Sequence, residues 1–584
     1  MTKPPLEAPE DIAIYELHIR DFSADGTYKA FTQPASDGMR HLAALAEAGL
    51  THVHLLPAFD IASVDEDKTT GLEPGDLSIY PPDSDQQQAA VMAIADRDAF
   101  NWGYDPWHYT TPDGSYATDP HGTTRIVEFR EMVKGLSDAG LRTVMDVVYN
   151  HTTASGQNDK SVLDKIVPGY YHRLNADGNV ERSTCCDNTA SEHNMMEKLL
   201  IDSVLTWAKE YKVDGFRFDL MGHHMKRNMT KLRTALDALT AEDDGVDGRN
   251  IYLYGEAWNF GEVANGARGE NAIQSNMAGT GIGSFSDRLR DGVRGGGPFS
   301  GLQEQGFVSG LWSDPNATNQ GSPADQLQTL LHRTDWIRLG LAGNLSTFRF
   351  VNAAGTTIEG RQLDYNGQQA GYTADPQETI NYIEAHDNET LFDALQLKLP
   401  TTLSMPERVR AQNLGISIVA LAQGVPFFHA GMDTLRSKSL DRNSYNSGDW
   451  FNKLDFTYQS NNWGVGLPPA PDNSANWGVF APLLADASLR PSPSHIAGAA
   501  AHMREMLAIR KSTPLFRLRT AAAIESNVRS LNGGPDPVAG LIVMQMADEE
   551  GTIDRRHDLV MALFNGTPNA VEFTAAEHAG KGLH

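Results

Sequence analysis

Cysteine is nearly absent. The 584 residues hold two, and they are neighbours, Cys185-Cys186. Adjacent cysteines cannot staple distant segments, and they offer too few ligands at too tight a spacing for a zinc knuckle. They either pair with each other as a vicinal disulfide or stay reduced as two small buried hydrophobes. An apolar run long enough to span a bilayer is also missing. The opening decapeptide, Met1 to Glu10, is polar and proline-rich and lacks a signal-peptide core. The chain is therefore expected to open directly on a folded domain, as a cytoplasmic protein or one trimmed of its leader would. Basic residues are scarce, 48 Lys and Arg against 75 Asp and Glu, for a formal net charge of −27. That balance argues against nucleic acid or an anionic membrane as partner, since both need clustered Lys and Arg. Solubility is the main reading of the charge, and salt tolerance a second. Internal repeats and low-complexity segments are lacking too.

What is present is an alternation of β-branched, apolar runs with amphipathic stretches, the pattern of a parallel sheet with crossover helices. Strand-like runs are Ile12–Arg20, His52–Pro57, Arg142–Tyr149, one ending at Asp219, one ending at Glu256, Ile282–Ser286 as the sixth, one ending at Asp387, and Gly424–His429. Helices are expected at Met39–Ala48 with Gly49 as C-cap, at Glu128–Asp138, and from Ser494 to Lys511. Thr189-Ala-Ser-Glu192 reads as a capping box that opens a further helix, with Met196, Leu200, Val204, Trp207 and Tyr211 on one face. Eight strand–helix units predict a TIM (β/α)8 barrel over 1–514, with long loops at about 60–125, 150–190 and 260–378. After Pro514 short β-like pieces predict a small C-terminal β-sandwich over 515–584, incomplete at its end.

Three carboxylates terminate barrel-strand runs: Asp219 in Val213–Asp219, Glu256 in Tyr252–Glu256, and Asp387 in Ile383–Asp387. Strand C-termini form the mouth of such a barrel, so these groups can converge on one substrate. Paired carboxyls flanking a glycosidic bond are the machinery of glycoside hydrolysis. Arg217, two residues before Asp219 and on the same side of its strand, is expected to keep Asp219 ionised as nucleophile. Neighbouring carboxylates are expected to raise Glu256 as the proton donor. Retention then requires the pair to stand about 5–5.5 Å apart. His151 and His386 are candidate donors to substrate hydroxyls. His223-His224 lacks a third ligand at useful spacing and reads as cleft lining or surface.

Asp146-Val-Val-Tyr-Asn-His151, Gly215-Phe-Arg-Phe-Asp219, Gly255-Glu-Ala-Trp258 and Ala385-His-Asp-Asn388 resemble the four signature regions of the α-amylase clan. Phe100-Asn-Trp-Gly-Tyr-Asp-Pro106 closely resembles a motif of type I pullulanases and limit dextrinases. Ser183–Ala190 and Arg436–Phe451 are similar to their bacterial branch. The resemblance runs from about Ile12 to the end. It implies cleavage of α-1,6 branch linkages in pullulan, amylopectin and limit dextrins, with Asp219 as nucleophile, Glu256 as acid/base and Asp387 as transition-state stabiliser.

The same resemblance places Tyr104, Trp102 and Asp105 at the substrate, with Tyr104 stacked on the sugar at the cleavage point and Trp258 as a platform beyond it. It suggests that Cys185 and Cys186 form a vicinal disulfide beside the cleft, which favours an exported or cell-surface protein. No cofactor is required for such chemistry. Family members often bind structural calcium, for which the sequence supplies only Asn150 as a weak candidate ligand. The implied partner is an α-glucan acted on by a monomer. Within enzymes the runner-up is an α-1,4-acting amylase or neopullulanase-like hydrolase. From another class, a non-catalytic glycan-binding barrel remains, against which the intact carboxylate trio argues.

Overall fold

The computed structural model describes residues 1–548 and 550–580. Eight parallel strands close into a barrel: β1 (Ile14–Leu17), β2 (His52–Leu55), β3 (Arg142–Val147), β4 (Gly215–Phe218), β5 (Tyr252–Gly255), β6 (Gly283–Phe285), β7 (Thr379–Asn381) and β8 (Val425–His429). They follow one another around the barrel in chain order, and β1 pairs with both β2 and β8, Ile14 facing His52 on one side and Phe427 on the other. Every residue of these strands is buried, as expected where helices cover the outside and side chains fill the lumen. The eighth-strand run and the weak sixth-strand run both lie where the sequence puts them.

Helices α1 (Asp37–Ala48), α2 (Thr124–Asp138), α3 (Asn194–Tyr211), α4 (Lys226–Asp237), α5 (Pro323–Leu341), α6 (Met405–Ala420) and α7 (Pro493–Ser512) supply most of the outer layer. The expected apolar face of α3 is fully used, with Met196, Leu200, Val204, Trp207 and Tyr211 all buried. Its start differs from expectation. The N-cap is His193, and the Thr189 hydroxyl instead donates to the Tyr149 carbonyl. Thr189 therefore ties the loop to the barrel rather than capping the helix. Among the described residues no helix is long and apolar enough to cross a membrane.

The long loops build on the C-terminal rim. Phe59–Ile61 pairs with Pro106–Pro112, and His151–Thr152 pairs with Asp187–Asn188, both antiparallel. The C-terminal β region is a three-stranded antiparallel sheet of β9 (Val528–Leu531), β10 (Leu541–Ala547) and β11 (Leu559–Asn565). Val528, Ile542, Met544 and Phe564 join the same apolar core as Leu339 of α5, so this sheet packs directly on the barrel's outer layer.

Candidate active site

Asp219 and Glu256 each directly follow a strand, β4 and β5, which fixes their backbones at the rim. Asp219 N–H donates to the Val147 carbonyl and Glu256 N–H to the Phe218 carbonyl, extending the ladder one residue past each strand. Between them stands Arg217, 2 % exposed. Its Nη1 lies 3.2 Å from Asp219 Oδ1 and its Nη2 3.1 Å from Glu256 Oε2. Leu220 takes a left-handed conformation at φ 40°, which aims its N–H at Glu256 Oε2, 3.0 Å away. Non-glycine residues adopt that conformation reluctantly, and such strain gathers at functional sites. Gly222 permits the next close approach: a Cβ there would sit 2.1 Å from the Trp258 carbonyl oxygen.

The electrostatics depart from the sequence expectation. Arg217 does not serve Asp219 alone, because Asp146, at 2.9 Å, shares the guanidinium with Asp219 and Glu256. Burial, reinforced by the nearby Glu256 charge, pushes Asp219 up to about 8 despite Arg217. The raised carboxyl is therefore Asp219, where the sequence reading raised Glu256. With Asp219 raised that far, the Asp219–Glu256 pair holds a proton at neutral pH, and that proton belongs to the pair rather than to one fixed oxygen.

Asp387 lies across the mouth with its side chain 52 % exposed. It does not end a strand. β7 stops at Asn381, and the segment beyond is held by side chains: Glu16 takes the His386 N–H, and Lys438 Nζ donates to the His386 carbonyl at 2.9 Å. The His386 ring stacks on Tyr104, with centroids 5.0 Å apart and planes 17° apart, and meets the edge of Trp102 at 4.9 Å. Tyr104 OH donates to Asp146 Oδ2 at 2.7 Å. Trp258, Phe260 and the fully exposed Phe299 line the same cleft of about 1370 Å³ as Arg217, Glu256, His386 and Asp387.

Other candidates are placed differently. Both ring nitrogens of His151 are committed inside the protein, Nε2 donating to the Tyr104 carbonyl at 2.7 Å and Nδ1 accepting from Asn150 at 3.1 Å. Burial pushes this imidazole down to about 4, so it is neutral and steadies the Tyr104 backbone instead of facing a sugar. Asp105 is turned away to the Ala62–Ser63 turn, where burial raises it to about 6. Trp102 is 5 % exposed and backs His386. Cys185 and Cys186 are joined to each other, and Cys185 Sγ lies 3.7 Å from His151 Nε2. His223 and His224 are buried, His223 against Ser183 and Phe260, so neither lines the cleft or the surface. The sequence reading gives Glu16 and His54 no role, and Asp146 enters it only as the first residue of a signature region. The available signal was a charged or polar residue inside an otherwise apolar barrel strand.

Among the described residues calcium finds no fitting cage. Asp60, Glu66 and Asp113 bring oxygens within 4.8 Å of one another. Arg125 already grips both Glu66 oxygens, His108 takes Asp60, and the Ile61 and Ser115 N–H groups take Asp113. Asn150 bonds His151 and Asp219, with no carboxylate cage around it. A hard cation wants six to eight free oxygens, so we assign no calcium ligands.

A closed (β/α)8 barrel with this carboxylate trio and shared arginine at its mouth defines a barrel of the α-amylase clan. Residues 458–584 match the family model described as alpha-1,6-glucosidases, pullulanase-type, C-terminal. The chain is similar to the chloroplastic pullulanase 1 of Arabidopsis thaliana, 50 % identical over 98 % of this chain and 61 % of that protein. A solved maltotriose complex of the Klebsiella pneumoniae pullulanase matches with a TM-score of 0.92 at 40 % identity, covering 97 % of this chain and 66 % of that one. A maltotetraose complex of a Paenibacillus barengoltzii pullulanase mutant matches with a TM-score of 0.71 at 30 % identity, covering 98 % and 74 %. The chain belongs to the pullulanase family. It spans less than two thirds of the curated relatives' own length. Identity to the plant relative exceeds that to the Klebsiella one, so the expected bacterial branch is not assigned.

Proposed function

We propose that this chain hydrolyses α-1,6 branch linkages of α-glucans such as pullulan, amylopectin and limit dextrins, with retention of configuration. One observation carries the chemistry: Asp219 and Glu256 accept from the two ends of a single buried guanidinium, opposite an exposed Asp387. Glu256 gives its proton to the leaving oxygen while an Asp219 oxygen attacks the anomeric carbon, so the C–O bond to the leaving sugar breaks as the bond to Asp219 forms. Water then attacks the glycosyl–Asp219 ester, Glu256 takes back a proton, and Asp219 leaves as carboxylate. Asp387 and His386 hold the ring hydroxyls as positive charge develops. Trp258, standing in the cleft beside Glu256, offers a flat face to the leaving sugar.

The choice of bond rests on the Phe100–Pro106 segment and on the relatives, which are pullulanases, one of them solved with maltotriose. The chemistry requires no cofactor, and the chain acts as a monomer on its glucan. The vicinal disulfide supports a protein that works in an oxidising compartment, outside the cell. Incubation with pullulan tests the bond. Maltotriose as the product is expected, whereas panose or isopanose would mean α-1,4 cleavage and overturn the reading.

A further inference from the structure

Below the catalytic trio runs a line of buried polar side chains that no step of the reaction consumes. Asp146, which holds Arg217, lies 3.0 Å from His54 Nε2, and His54 Nδ1 lies 4.0 Å from Glu16 Oε1. Glu16 sits on β1 and is 1 % exposed. Both its oxygens go to one residue: Oε1 meets His386 Nδ1 at 2.7 Å, and Oε2 accepts the His386 backbone N–H at 2.7 Å. Burying a carboxylate is costly unless its partners are fixed and close. Here the partners lie on a loop segment, Tyr382 to Asn388, that has no strand of its own.

The grip leaves His386 little freedom. Glu16 fixes the ring and the peptide, Lys438 fixes the carbonyl, Tyr104 covers one ring face and Trp102 closes an edge. With Nδ1–H donating to Glu16, the hydrogen on Nε2 is the one left to act. That nitrogen lies 3.8 Å from Asp387 Oδ1, at the cleft.

We propose that Glu16 is a positioning residue, whose two-point hold on His386 sets the imidazole as a fixed Nε2–H donor to the sugar hydroxyl bound by Asp387. The assignment deepens the hydrolase reading and rests on it for the substrate. The charged and titratable groups facing the ring are Glu16 from β1, Arg217 from β4, Asp146 from β3, His429 from β8, Lys438, Tyr104 and Asp387. Burial opposes the charge on the ring, but Glu16, helped by Asp387, outweighs both burial and the cations, and the ring stays charged up to about 9. A role confined to packing would need only the shape of Glu16. A positioning role needs its charge and both its acceptors.

The first readout requires no substrate. In a titration of the free protein with 15N-labelled histidine, the His386 signal is assigned by its loss in His386→Gln. Glu16→Gln keeps the shape and removes the charge, and should lower the His386 midpoint by about one pH unit or more. If that variant does not fold, Glu16→Asp replaces it. The shorter carboxylate cannot reach both N–H groups, and the midpoint must still fall. The second readout is turnover of pullulan, where Glu16→Gln should raise KM by roughly tenfold at pH 7. That loss should vanish in a His386→Gln background, because both changes remove one interaction. An unmoved His386 midpoint, or a Glu16 effect that simply adds to that of His386→Gln, overturns the assignment. A wild-type protein inert on pullulan would overturn the hydrolase reading, while the histidine titration still decides the role of Glu16.

Discussion

Arg217 meets Asp219 through Nη1 at 3.2 Å while its other terminal nitrogen holds Glu256 at 3.1 Å. One planar guanidinium thus spaces the two carboxyls and divides its charge among them and Asp146. A lysine ammonium is a point charge on a flexible stem and cannot reproduce that fork. Arg217→Lys should therefore lower kcat on pullulan by about 10²–10³-fold and also lower the melting temperature, because a buried carboxylate loses its partner. Steady-state kinetics beside a thermal melt check this, and near wild-type turnover would contradict it.

Burial, with the Glu256 charge nearby, raises the folded-state pKa of Asp219 to about 8, more than the shared arginine can offset. For an acid raised on folding, the native state keeps a proton that the unfolded chain releases. The resulting stability is present in full below the unfolded value of about 3.9, and is lost as pH rises towards 8. At pH 9 Asp219 is a buried charge that Arg217 and Asn150 offset only in part. Asp219→Asn, which imitates the protonated acid, should then melt about 2 °C or more above wild type at pH 9 while abolishing turnover. A wild type more stable than the variant at pH 9 would remove this account. By the same proton count, kcat/KM should fall above about pH 8 as the pair loses its proton.

The disulfide between Cys185 and Cys186 closes no stretch of chain between the two residues. Disulfides stabilise chiefly by restricting the unfolded ensemble, more so for longer loops. Replacing both cysteines by serine should shift the melting temperature by less than about 1 °C. Any effect should fall on KM, because Cys185 stands 3.7 Å from the histidine that steadies Tyr104. Thermal melts and KM measured side by side test the point. A large drop in melting temperature would sink it.

Asp219 and Glu256 were readable in the sequence because each directly follows an apolar strand whose ladder fixes its position. Asp387 was legible as a residue but not as a position, since β7 ends six residues earlier and Glu16 and Lys438 hold the intervening segment from distant parts of the chain. Such long-range anchoring has no local pattern. The same limit explains His151, whose ring nitrogens are taken by Tyr104 and Asn150, and Asp105, which faces the Ala62–Ser63 turn. Thr189 shows the converse failure. Its spacing to Glu192 fits a capping box, but a tertiary bond to Tyr149 claims the hydroxyl and α3 starts later. Glu16 was hidden by its neighbours, because one acid in Ile12–Arg20 does not disturb an apolar strand pattern.

The proposed reaction is a double displacement through Asp219 as nucleophile. It is tested most directly by NMR of the new reducing ends in the first turnovers on pullulan, before mutarotation. Retention through Asp219 predicts that they appear as the α anomer. Release of the β anomer would mean direct attack by water, and would remove Asp219 from the role that the geometry at Arg217 gives it.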